Sequence, residues 1–303
     1  MLEIFEIFSK NISQILKQKL EGQTLEDIKT LEEIRIRSNG IISLKFNSKQ
    51  EILNQKVTYQ EIIETIQRMC ENSIYSYQNE IKNGYITLKG GHRVGIAGNC
   101  VIENGKVINI KYISSINFRI ARQVIGCSKP AIKYILNPEK KTINNTLIVS
   151  PPGVGKTTIL RDLIRNVSNG MEEINFEGMN VGLVDERGEI AALYKGIPQN
   201  EVGIRTDILE NIPKPIGIKM LIRSMAPQVI AADEIGTVED VEAIKEAICM
   251  GVKGIFTAHG ENQIDIEKNP VLKSLINESI IERIIFLKLN NGERTISIQE
   301  KAS

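Results

Sequence analysis

The residues of this chain best suited to chemistry lie in the string Pro151-Pro-Gly-Val-Gly-Lys-Thr-Thr158. An apolar run, Thr146-Leu-Ile-Val-Ser150, precedes it, and the helical pattern Ile159-Leu-Arg-Asp-Leu-Ile-Arg165 follows. A glycine-bearing turn between a buried strand and a helix gathers backbone N–H groups into one concavity and adds the positive helix end. Pro152, Gly153, Val154, Gly155, Lys156, Thr157 and Thr158 are therefore the expected binding residues for the phosphates of a nucleoside triphosphate. Lys156 has the reach for the β- and γ-phosphates, and the Thr157 hydroxyl is placed to ligate Mg²⁺. Serine at position 150 replaces the glycine of the full consensus, while the glycines nearest the phosphates are intact.

Three further clusters sit at the ends of apolar runs. Val229-Ile-Ala-Ala-Asp-Glu234 delivers two carboxylates, Asp233 for the metal and Glu234 as general base for water. Gly182-Leu-Val-Asp-Glu-Arg-Gly188 ends likewise in Asp185, Glu186 and Arg187. Its strand is expected beside the phosphate-loop strand, with Asp185 as a further metal ligand and Glu186 as catalytic. Gly254-Ile-Phe-Thr-Ala-His-Gly260 brings His259 to the same edge, aimed at the γ-phosphate or the lytic water. Carboxyl ends of parallel strands are where ligands bind in open α/β sheets.

The elements that must carry these clusters are legible as short, nearly continuous apolar strands at 147–149, 181–184, 229–232, 255–258 and 284–289. Strands covered on both faces read this way. Asn290-Asn-Gly292 then turns into a last strand, Thr295–Ile298. The rhythm predicts an α/β class with a RecA-like or AAA-like P-loop core over 146–303, a linker over 123–145 and a smaller α+β domain over 1–122. In that domain Glu33–Arg37 and Ile41–Phe46 form a hairpin, Thr58 to Glu71 opens on a capping box, and Tyr85 to Arg122 is a meander. Leu2, Phe5, Phe8, Ile12, Ile15, Leu16 and Leu20 predict one N-terminal helix packed on its own domain.

With 303 residues, 42% of them hydrophobic, the chain can fill two cores. A net charge of +1 gives no global basic surface, so no nucleic-acid partner is expected. Cys70, Cys100, Cys127 and Cys249 stand apart, which excludes a tetracysteine zinc module and suits a reducing compartment. No apolar run reaches the length of a membrane span, and acids among the first residues exclude a signal peptide.

The order of motifs resembles the secretion ATPase superfamily: phosphate loop, acidic box at 185–187, Asp-Glu at 233–234, histidine box at 257–259. Asp185-Glu-Arg-Gly-Glu-Ile190, Gly203-Ile-Arg-Thr-Asp207 and Leu221-Ile-Arg-Ser-Met-Ala-Pro-Gln-Val-Ile230 resemble, more narrowly, the stage III sporulation AA family. So do Glu33–Arg37, Gly91–Gly98 and Ser114–Arg122. The resemblance implies a Mg²⁺-dependent ATP hydrolase of the mother cell, cytoplasmic and peripheral at the inner membrane, working on the proteins of a transenvelope channel. It also implies a homo-hexameric ring with an arginine acting in trans, for which Arg119, Arg122, Arg205 and Arg223 are the candidates. Two departures matter: secretion motors usually carry glycine where this chain has Asp233, and the four-cysteine module of some is absent. A nucleic-acid-directed AAA ATPase, a small-molecule P-loop kinase and a nucleotide-gated scaffold are the other classes compatible with a phosphate loop.

Overall fold

In this computed structural model, residues 2–21, 23–24, 28–47, 49–290 and 293–300 are described. The chain divides into two compact units, Met1–Arg122 and Gln123–Ser303.

The first unit is built on a six-stranded antiparallel sheet. Its strands are β1 (Leu31–Arg37), β2 (Gly40–Phe46), β3 (Gln50–Val57), β4 (Tyr85–Thr87), β5 (Arg93–Glu103) and β6 (Lys106–Arg119), in the order β3-β2-β1-β6-β5-β4. Asn39, at φ +53°, makes the tight β1–β2 turn. The N-terminal apolar face is carried by two elements rather than one helix: a 3-10 turn, Leu2–Ile7, and α1 (Lys10–Leu20). The break falls at Ser9, whose N–H donates to Thr65 Oγ1 at 3.0 Å instead of to a helical carbonyl. Phe5, Phe8, Ile12, Leu16 and Leu20 are all buried, and Phe8 tilts against Phe118 at 5.4 Å. Helix α2 (Tyr59–Met69) carries the capping box, Thr58 accepting from the Glu61 N–H and Glu61 returning to the Thr58 N–H. Such a cap contributes roughly 1 kcal/mol.

The second unit starts at Gln123, so that 123–145 belongs to it. In this segment α3 (Lys129–Ile135) is fastened to α4 (Lys156–Asn169) by one carboxylate. Buried Asp162 accepts from the Gly126 N–H at 3.0 Å, the Ser128 N–H at 2.8 Å and the Ser128 hydroxyl at 2.6 Å, and pairs with Arg165.

The large sheet comprises β7 (Thr146–Ser150), β8 (Val181–Asp185), β9 (Thr206–Glu210), β10 (Val229–Ala232), β11 (Lys253–His259), β12 (Arg283–Asn290) and β13 (Glu293–Glu300). Its order is β9-β8-β10-β11-β7-β12-β13, parallel except for the final antiparallel hairpin. Strand periodicity sorts the side chains into two cores. Ile148, Val181, Leu183, Val229, Ala231, Ile255 and Ile285 face the layer of α4, with Ile159, Leu160 and Leu163. Leu147, Val149, Val184, Ile230, Ala232, Phe256 and Ile284 face the other layer, built by α5 (Lys214–Met225) and α6 (Val238–Cys249).

One expectation about this sheet is overturned. The strand ending in Asp185 does not lie beside the phosphate-loop strand: β7 is flanked by β11 and β12, and β8 by β9 and β10. Helical crossovers let a strand enter the sheet several places away from its predecessor, and an apolar run carries no mark of which neighbour it takes. Of the strands in these two sheets, β3 and β9 escaped the sequence reading. Both are edges, with only Leu53 and Val57 buried in β3 and every residue of β9 half-buried, so neither has an apolar run. The turn expected at Asn290–Gly292 lies partly outside the described residues.

Candidate nucleotide site

The carboxyl end of β7 runs into the loop 151–155, where Gly153 and Gly155 take φ of +79° and +99°. Left-handed backbone is costly for residues with a Cβ, so the spacing of the two glycines shapes the loop. Gly155 caps α4, and Lys156 is its first residue.

Lys156 is 5% exposed. Its Nζ donates to the Ser150 carbonyl at 2.8 Å and the Pro151 carbonyl at 3.2 Å, and lies 3.1 Å from His259 Nδ1. Burial pushes its pKa down, against the pull of Asp233 and Glu234. The register of β11 on β7 sets His259 opposite Ser150, which is how a residue 103 positions away reaches the lysine. An ammonium only donates, so Nδ1 accepts, and the ring proton belongs on Nε2. From there it donates to Glu234 Oε1 at 3.1 Å, while Glu234 Oε2 pairs with Arg187 Nη1 at 2.6 Å. Lys156, His259, Glu234 and Arg187 thus form one continuous chain across three strand ends.

Asp233 sits between two threonines. Thr157 Oγ1 donates to its Oδ2 at 2.6 Å, and the Thr257 hydroxyl donates to its Oδ1. Thr257 is fully buried and also accepts the Glu234 N–H at 2.8 Å, where Glu234 takes φ +52°. A left-handed glutamate is unusual, and backbone of this kind clusters at functional sites. A cleft of about 20 Å³, room for one water, is lined by Asp185, Glu186, Arg187, Glu189, Lys214, Asp233 and Glu234.

The acidic box divides its labour. Asp185, 2% exposed, accepts the Glu189 N–H at 3.0 Å, the Ile190 N–H at 2.9 Å and the Ala191 N–H at 2.8 Å. Burial raises its pKa although those three amides oppose the shift. Its oxygens are therefore engaged in folding the loop 185–191, which Arg161 of α4 also grips through the Glu189 and Ile190 carbonyls. Glu186 pairs with Lys214, itself 7% exposed and 3.9 Å from Asp240, which completes the capping box that Thr237 opens on α6.

The arginines are scattered. Arg205 donates to the Ser168 and Asn169 carbonyls at 2.9 and 3.2 Å. Arg223 stands exposed on α5. Arg119 and Arg122 belong to the first unit, where Arg122 donates to the Leu31 carbonyl at 2.6 Å. Sequence reasoning missed Lys214 and Arg294, which carry no motif, and passed over Thr257, which stands two residues before His259.

The residues fit a Mg²⁺ ion. Thr157 Oγ1 and Asp233 offer adjacent hard oxygen donors, and Mg²⁺ needs only one or two protein oxygens when waters and phosphates complete its shell. No group of three or more His, Cys, Asp or Glu among the described residues forms a metal cage of its own.

Known proteins match both the sequence and the fold. The family model of sporulation stage III, protein AA, matches residues 2–301. The stage III sporulation protein AA of Bacillus subtilis (strain 168) is 40% identical over 297 residues, covering 98% of this chain and 94% of that one. Among solved structures, the ATPase DotB of Legionella pneumophila superposes with a TM-score of 0.58 at 15% identity, over 94% of this chain and 79% of the other. The pilus retraction motor PilT with bound ADP gives 0.59 at 16% identity, over 92% and 82%. Those likenesses show a fold shared with DotB and PilT, and the sequence match decides the family. The chain belongs to the sporulation stage III, protein AA, family.

Proposed function

We propose that this chain is a Mg²⁺-dependent ATPase that forms a ring, six-membered by analogy with secretion motors, and energises a transenvelope channel during endospore formation. The observation that carries the hydrolytic reading is the side-chain relay Lys156–His259–Glu234–Arg187, set beside the Thr157–Asp233 pair at one sheet edge.

In this reading the loop amides and Lys156 hold the β- and γ-phosphates, and Thr157 and Asp233 hold the metal, which supplies charge neutralisation on the phosphates. Thr257 fixes the aspartate and the glutamate backbone with one hydroxyl. Glu234 accepts the proton of the attacking water, and His259 links Glu234 to Lys156, so that the base and the phosphate-binding cation are positioned together. Arg187 holds the second carboxylate oxygen in place. Asp185 acts through the loop it folds, and Glu186 through its pair with Lys214. Arg119 and Arg223, both exposed, are the candidates to act on a neighbouring copy, since Arg205 and Arg122 are tied to backbone carbonyls of their own units. Partner proteins of the envelope hold the ring at the membrane in this reading; among the described residues no helix is long and apolar enough to cross a membrane.

The test is ATP turnover of the purified chain against Lys156→Ala over a concentration series, with mass measured in parallel. Turnover that rises as copies assemble and vanishes in the variant supports a ring with shared sites. Turnover that ignores assembly, or ADP formation only with an added acceptor, would discard the motor.

A further inference from the structure

Arg294, on the edge hairpin β12–β13, reaches the phosphate loop from the side opposite β11. Its Nε donates to the Val154 carbonyl at 3.0 Å. Its guanidinium also occupies the space into which a side chain on Gly155 would project: a Cβ there would collide with Nη2 and stand 3.1 Å from Cζ. One side chain therefore braces the two loop residues that immediately precede Lys156. Nearby, the Cys127 thiol donates to the Thr158 carbonyl at 3.5 Å, in the first turn of α4.

Among the described residues, Arg294 is the side chain that donates to the Val154 carbonyl. Two of the loop's five residues are left-handed glycines and a third, Pro152, is exposed. A loop of this composition loses much backbone entropy when it is fixed. A hydrogen bond from a charged donor to a backbone carbonyl is among the stronger ways to offset that loss. The bond goes to a carbonyl, so Arg294 acts on the shape of the loop.

We infer that Arg294 is a positioning residue for nucleotide: it fixes Val154–Gly155 in the shape that presents the loop amides to a nucleoside di- or triphosphate. The edge hairpin and the phosphate loop then order together, and occupancy of the loop is felt at β12–β13. This rests on the phosphate-binding reading of the loop given above.

Calorimetric titration of the full chain with ADP and Mg²⁺ tests it, native against Arg294→Ala and Arg294→Lys. Loss of one charge-assisted bond should weaken binding about tenfold in Arg294→Ala, with Arg294→Lys between. Amide exchange of the native protein gives the second readout, since ADP should slow exchange across β12–β13. A merely structural arginine would lower thermal stability and leave ADP affinity unchanged. Equal affinity in native protein and Arg294→Ala, or hairpin exchange indifferent to ADP, overturns the inference. Should Arg294→Ala not fold, the Lys variant and the native exchange data decide. Failure of the native chain to take up ADP at all would bring down the phosphate-site reading and this inference with it.

Discussion

Two strands of one sheet, β8 and β10, end in acids, and the fold uses those acids in opposite ways. Asp185 at the end of β8 accepts from three backbone N–H groups of its own loop, whereas Asp233 beyond β10 accepts, among the described residues, from hydroxyls of α4 and β11. Three N–H groups on one buried carboxylate tie Asp185 to the shape of the loop 185–191. A carboxylate held by two threonines is different, since Thr157 Oγ1 can turn its oxygen to the same cation. Two acid-ended strands thus do different work, set by what surrounds the carboxylate.

The comparison can be broken first at Glu234, the neighbour of Asp233. Glu234→Gln should reduce ATP turnover on the order of 10²- to 10⁴-fold, the range for a general base, while ADP binding by calorimetry persists. Native turnover in that variant would remove Glu234 from the chemistry. The next test is Thr257→Val, which keeps the shape of a buried side chain and deletes only the hydroxyl that serves Asp233 and the Glu234 N–H. Turnover should fall roughly tenfold or more, consistent with lost hydrogen bonds to a charged group, and half-saturation by Mg²⁺ should rise. Unchanged Mg²⁺ dependence would mean that Asp233 is positioned by Thr157 alone.

Asp185→Asn should act mainly on stability. One amide oxygen replaces two carboxylate oxygens, so melting should reveal a loss of roughly 1–3 kcal/mol, with turnover per folded molecule nearly preserved. Its pH dependence carries a definite sign. The folded pKa of Asp185 is raised above the ordinary 3.8 by burial, so the native protein binds this proton more tightly than the unfolded chain. The stability linked to it is present below that ordinary value and is lost as pH rises through the folded one. The stability margin of native protein over Asp185→Asn should therefore narrow as pH climbs from about 4. A margin that widens would mean that the loop amides outweigh burial.

Much of this site was legible because its signals are local. The glycine spacing before Lys156, the paired acids after an apolar run and the histidine five residues into another are each contained in one short segment. The architecture of the core was equally open, since strands covered on both faces are apolar at every position. What stayed hidden depends on distance or on polarity. Lys214 meets Glu186 from 28 residues away, and Arg294 meets Val154 from 140, through crossovers that leave no trace in either segment. The place of β8 in the sheet was hidden for the same reason. Edge strands β3 and β9 were missed because one side of an edge faces water and needs no apolar run. Asp185 and Asp233 share a sequence context, and the amides of 189–191 that donate to Asp185 are what the sequence could not show.

The anchoring of Gly126 and Ser128 on Asp162 bears on where this chain can be divided. A fragment beginning at Thr146 would contain every phosphate-loop motif, yet it would strip Asp162 of both N–H donors and the Ser128 hydroxyl, leaving Arg165 as its main partner. It would also uncover the part of the α4-side core covered by Ala131, Ile132 and Ile135. The natural cut therefore precedes Gln123, well upstream of the first residue that any motif would suggest.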